Sequence, residues 1–162
     1  MAEEPSRQPI CPLCGAQVPA EFPDCGAVYD ALRARDYSDP AFGAVHLLAL
    51  RAYALQHPEE PGSRSNAYHL MSLCRMLEHG ASPAFGQRRP RQDAKAFESI
   101  YGNYPRLEPP QHRGDLTIVD VCGAGEPDEY ANRVRQWAGS VWDAYRPHHA
   151  WARQAATLGW RP

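Results

Sequence analysis

The chain has 162 residues, of which 43% are hydrophobic and 22% charged, with a formal net charge of −2. Those values belong to one folded domain that buries about 70% of the surface its unfolded form exposes, and they exclude a disordered chain. The slight negative charge argues against a general nucleic-acid binder, and the longest apolar run, Ala41 to Leu55, is interrupted by His46 and Arg51 and is too short to span a bilayer.

Residues 1–9 read as a disordered lead, and residues 10–160 as a single, mainly α domain: a helical bundle with an irregular zinc knuckle at 10–25. Prolines concentrate in 5–23, 58–61, 83–90 and 105–110, which marks those stretches as irregular. Asp24 can cap a first helix over about 25–36. Asp39-Pro40 pairs an N-cap residue with proline at the first helical position, so a second helix is expected from Pro40 to about Gln56, where His57-Pro58 stops it. That helix is apolar nearly all round and is expected at the buried centre of the fold. A third helix is expected from Ser63 or Ser65 to about His79, with Leu70, Leu73, Cys74 and Leu77 as its inner stripe and Gly80 as its cap. Residues 81–92 read as a loop carrying Arg88, Arg89 and Arg91, followed by a short helix over 93–101 and a Pro/Gly-rich connection over 102–115. Leu116 to Val121 is β-branched, but Thr117 and Asp120 stand as a capping box and a lone strand would lack a partner, so a short helix or extended segment is expected. A long amphipathic helix starts at Pro127, with Tyr130, Val134, Trp137, Val141 and Tyr145 on one stripe, and Pro147 opens a last helix that ends before Gly159.

The chemistry concentrates in Cys11-Pro12-Leu13-Cys14-Gly15 and in Cys25. Three cysteines within 15 residues of proline-rich, irregular chain are poor core packing. A tight Cys-x-x-Cys-Gly turn presents two thiolates from one side of a loop, and a thiolate is favoured at the helix start where Cys25 lies. The N-terminus reads as lacking a signal peptide, which places the chain in the cytoplasm with its thiols reduced and favours Zn2+ over disulfides. A redox Cys-x-x-Cys would need to open a helix behind a strand, and that context is missing. The fourth ligand follows from helix levels. The first two helices, joined by a short turn, run antiparallel, so Cys25 lies level with the C-terminal half of the second. His57 is therefore the first choice and His69, returned to that level by the third helix, the second. His46 lies about 16 Å along the helix from His57 and cannot share its metal.

The other histidines allow a second reading. His46, His69 and one of His148 and His149, with His148 on the stripe of Trp151, Ala155 and Leu158, would form a catalytic, histidine-lined pocket in the bundle if they converged. Helical bundles build such sites, but no His-x-x-x-His or Glu-x-x-His spacing is present. No P-loop, dinucleotide fingerprint or nucleophile elbow occurs either.

Several stretches together resemble a bacterial family of small proteins of unknown function, over about residues 10–152. They are Cys11-Pro12-Leu13-Cys14-Gly15-Ala16, the run from Ala52-Tyr53 to Gln56-His57-Pro58, His69-Leu70 with Leu73-Cys74, and Trp137-Ala138 through Val141-Trp142 to His148-His149. The resemblance implies that His57, His69 and the 148–149 pair belong to the family pattern, and it brings no activity with it. Loop 86–92 is particular to this chain. The expected function is that of a zinc-stabilised helical domain, its zinc structural, which binds a small molecule or a protein. The alternatives are a metal-dependent enzyme, a hydrolase or small-metabolite enzyme, built on the histidines, and nucleic-acid binding through the knuckle and Arg88 to Arg91.

Overall fold

A computed structural model describes residues 8–58, 64–84 and 104–157. The expected basic loop, most of it, and the helix over 93–101 lie outside the described residues, as do residues 1–7 of the lead. The described residues form seven α-helices and one 3-10 turn, and no strand beyond a single antiparallel bridge between Ile10 and Gln17.

Helix α1 (Cys25–Ser38) begins where Asp24 accepts the Ala27 N–H at 2.8 Å, the N-cap expected of an aspartate there. Asp39 ends α1, its N–H returning to the Arg35 carbonyl, and also caps α2 (Pro40–Gly43) by accepting from Ala41. The expected continuous helix from Pro40 to Gln56 is broken. The chain turns at Ala44–Val45 before α3 (His46–Gln56) starts. The break lets Phe42 pack against Tyr130 while His46 turns to Asp36, and the freed Leu47 N–H donates to the Pro83 carbonyl at 2.9 Å. Helix α3 is the expected centre: none of its residues is fully exposed, and it packs against α1, α4 and α6.

Helix α4 (Arg64–Glu78) ends as expected, with Gly80 at φ +69° and the Ala81 N–H returning to the Arg75 carbonyl. Thr117 and Asp120 do form a box: the Asp120 carboxylate accepts from the Thr117 N–H at 2.7 Å and from its hydroxyl, and a single turn, α5 (Val119–Cys122), follows. Helix α6 (Pro127–Ala144) buries Tyr130, Val134, Trp137 and Val141, the predicted stripe, with Tyr145 buried just past its end. The last helix does not start at Pro147. Arg146–His148 form a 3-10 turn, and α7 (His149–Thr157) follows and packs on α4. The tighter turn rotates the pair, so His149 rather than His148 is buried.

Gln56, fully buried, joins the layers. Its amide donates to the carbonyls of Arg113 and Leu116, and its oxygen accepts the Trp137 indole N–H at 2.8 Å. The Arg113 guanidinium then donates to the Gln56 carbonyl and to the Leu13 carbonyl, which fastens the N-terminal loop to the end of α3.

Candidate metal centre

The N-terminal loop is folded by its own backbone. The Gly15 N–H donates to the Cys11 carbonyl, the Cys11 N–H to the Ala16 carbonyl, and Gly15 takes φ +76°, which a side chain would strain. This hairpin turns Cys11 and Cys14 to the same side. Ala16 and Val18, both buried, anchor it on the bundle, and the cap at Asp24 delivers Cys25 as the first residue of α1. The C-cap of α3 delivers His57.

These four side chains meet. The sulfurs of Cys11, Cys14 and Cys25 and a ring nitrogen of His57 all lie within 4.8 Å of one another, so the Cys3His cluster can hold a metal ion. The Cys14 and Cys25 sulfurs are 3.8 Å apart, and Cys11 Sγ is 3.6 Å from His57 Nε2. The His57 Nδ1–H donates to the Tyr53 carbonyl at 3.0 Å, which leaves the Nε2 lone pair towards the sulfurs. The ring is held flat by a stack: Tyr53 lies 4.1 Å from His57, and Tyr29 lies 4.0 Å beyond Tyr53. Burial, with the Arg113 charge adding to it against the Tyr53 hydrogen bond, keeps the His57 pKa below the ordinary imidazole range, so the ring is neutral as a ligand must be.

The thiols divide. Burial and the negative charge of Cys11 push Cys14 above the ordinary range, and burial with the charges of Cys14 and Cys11 pushes Cys25 up further. At Cys11 burial also acts upward, but the N–H groups of Cys14 and Leu13 aimed at its sulfur prevail and its pKa falls. Three thiolates packed this closely repel one another, and a divalent cation removes that repulsion.

The remaining histidines are not gathered. His46 Nδ1 bonds the buried Asp36 carboxylate at 3.0 Å, and the same oxygen accepts from the Tyr130 hydroxyl. His69, the second choice for the knuckle, turns to α3 instead. Its Nδ1 accepts from Arg51 at 3.1 Å, and Arg51 also holds Tyr68 and Ser72. Burial and the Arg51 charge lower the His69 pKa to about 3. His148 donates to the Glu108 carbonyl, and His149 stacks 3.8 Å from Trp142 and donates to its carbonyl. Among the described residues, neither group of metal-ligating side chains includes His46, His69, His148 or His149. The second group, Cys74, Glu78 and His79, has its carboxylate clamped by Arg153 at 2.8 and 2.9 Å, which opposes a cation.

Sequence reasoning did not find Asp36, Tyr53 or Gln56. Asp36 and His46 flank the Asp39-Pro40 turn on antiparallel segments, which is the one signal that could have paired them. The contact of Tyr53 with His57 is an i, i+4 pair at the end of α3 and was open to helical spacing, whereas Tyr29 beyond it and the three bonds of Gln56 depend on elements far apart in the chain.

No described helix is long and apolar enough to cross a membrane. Comparison with the curated proteins and with the solved structures gives no match. A family model does match, from residue 9 to residue 146, a span that contains all four residues of the cluster, and the chain therefore belongs to this family of unknown function (DUF5946).

Proposed function

We propose that the chain is a zinc protein whose metal is held by Cys11, Cys14, Cys25 and His57 and serves structure, in a domain that acts by binding a protein or a small molecule. The observation that carries the reading is the size of the cluster. Around zinc, with Zn–S about 2.3 Å and Zn–N about 2.0–2.1 Å, a tetrahedron has edges of roughly 3.8 Å between two sulfurs and roughly 3.6 Å between sulfur and nitrogen. Two of the six edges here are 3.8 and 3.6 Å, and every edge lies within 4.8 Å. Four protein ligands saturate the ion and leave no position for water or substrate, so its work is to tie the knuckle to α1 and α3.

An open recess of about 530 Å³ lies beside the knuckle, between Gly15, Gln17 and Pro19 on one side and Asp115, Thr117 and Asp120 on the other. The knuckle also exposes Ile10 and Leu13. No observation favours the enzyme reading, which needed the histidines to converge.

Elemental analysis of the purified chain tests the proposal. One zinc per chain is expected, lost in Cys14→Ser and strongly reduced in His57→Ala, and kept in His69→Ala. Full zinc content in both Cys11→Ser and Cys25→Ser would remove the knuckle as the site. A second metal ion, extracted without loss of the fold, would return the enzyme reading.

A further inference from the structure

The cluster sets two partly exposed thiols, Cys11 and Cys14, beside one hidden thiol, Cys25. Cys14 is partly exposed on the knuckle, whereas Cys25 is 3% exposed at the start of α1, and their sulfurs are 3.8 Å apart. Cys11 sits on the other edge, against His57, 3.6 Å away. The four ligands thus form two ties of different kinds. Cys14 with Cys25 joins the knuckle to α1 through two sulfurs, which can bond to each other. Cys11 with His57 joins the knuckle to α3 through a sulfur and a nitrogen, which can share an ion or a hydrogen bond but cannot form a disulfide.

We propose that the site is a peroxide-responsive switch, in which oxidation links Cys14 to Cys25, expels the metal and releases His57. The proposal rests on the metal reading above. The Cys14 sulfur attacks one oxygen of hydrogen peroxide, the O–O bond breaks, and a sulfenic acid forms while the other oxygen leaves as hydroxide and takes up a proton. The Cys25 sulfur then attacks the Cys14 sulfur, the S–O bond breaks, and the second oxygen also leaves as water. Two electrons pass from the two sulfurs to the peroxide, and both sulfurs end in the disulfide. The cation, stripped of two thiolates, keeps only Cys11 and His57 and dissociates. The oxidised chain keeps its knuckle on α1 through a covalent bond. Its hold on α3 falls to the Arg113 bridge between the Leu13 and Gln56 carbonyls. Oxidation therefore loosens one junction of the fold and leaves the other closed, which differs from simple loss of the metal.

The test uses the reduced, zinc-loaded full chain, titrated anaerobically with hydrogen peroxide. Free zinc is followed with a chromogenic chelator, cross-links are mapped by mass spectrometry, and amide exchange is compared before and after. The expected result is one zinc released per disulfide, a Cys14–Cys25 cross-link, and recovery with dithiothreitol and added zinc. Exchange should quicken in residues 10–14 and stay unchanged in α1. Cys122→Ser should respond like the unaltered chain, and Cys11→Ser, if it folds, should still form the cross-link. If Cys11→Ser does not fold, the cross-link map of the unaltered chain decides. Zinc retained under peroxide, or a Cys11–Cys14 link or sulfinic acids in place of the Cys14–Cys25 bond, would overturn the switch and leave the metal reading standing. A reduced chain that holds no metal would sink both, and the zinc content measured before oxidation tells the two failures apart.

Discussion

The hydrogen bond from His57 Nδ1 to the Tyr53 carbonyl selects the tautomer that turns Nε2 to the sulfurs. His69 has the opposite arrangement: its Nδ1 lone pair is taken by Arg51, and a second cation has no place there. This makes His69 a measurable contributor to acid stability. Its pKa is lowered to about 3 by burial and by the Arg51 charge, against 6.5 in the unfolded chain. Between those values the unfolded state binds the proton and the native state does not, so stability rises with pH across the window, is complete above it, and is lost as pH falls from 6.5 towards 3. In urea unfolding at pH 7 and pH 4.5, His69→Gln should lose less stability between the two than the unaltered chain. Equal losses would show that burial and the Arg51 charge do not disfavour the protonated ring.

At the scale of elements, the capping and turn residues of the chain acted where expected: Asp24 at α1, Asp39-Pro40 at α2, Gly80 after α4, and Thr117 with Asp120 before α5. These signals are local, because each side chain or φ angle serves backbone groups within a few residues. The break at Ala44–Val45 was not legible for the opposite reason. Its gain is collected at Tyr130, Asp36 and Pro83, none of which is a sequence neighbour. The junctions between elements are equally specific. Gln56→Leu removes the Gln56 partner of two half-buried carbonyls and of the buried Trp137 N–H and should cost roughly 3 kcal/mol, read as a lower urea midpoint with unchanged slope. Gly114 has φ +115°, and a Cβ there would meet Ser140 Oγ at 2.8 Å and its carbonyl at 3.1 Å. Gly114→Ala should therefore destabilise by about 2 kcal/mol, by strain and by displacing the Ser140 hydroxyl from the N–H groups of Asp115 and Leu116.

At the scale of the whole molecule, the knuckle rests on the bundle through Ala16 and Val18, but the largest buried side chains belong to the bundle itself. The bundle closes on Trp137, Tyr130, Tyr145, Leu55, Leu70 and Leu73, all fully buried and none of them a residue of the cluster. On the zinc reading proposed above, chelation should thus leave most of the helical circular dichroism in place. It should lower the melting temperature by about 5–10 °C, the shift expected when a tie worth a few kcal/mol is lost from a domain of this size. Collapse of the helical signal on chelation would make the metal a condition of the whole fold instead.

The sequence by itself determined the helical class, the capped starts and stops, the three cysteines and, through the antiparallel order of two helices, the level at which an imidazole would join them. It could do so because caps, turns and helix rise act over short stretches of chain with fixed geometry. Only the tertiary structure brought His57 and not His69 beside the three cysteines, separated His46, His148 and His149 among different partners, and revealed Gln56 as the junction. Those outcomes turn on which way a ring faces and which buried group needs a hydrogen bond, and both are set by neighbours that the chain brings in from far along its length.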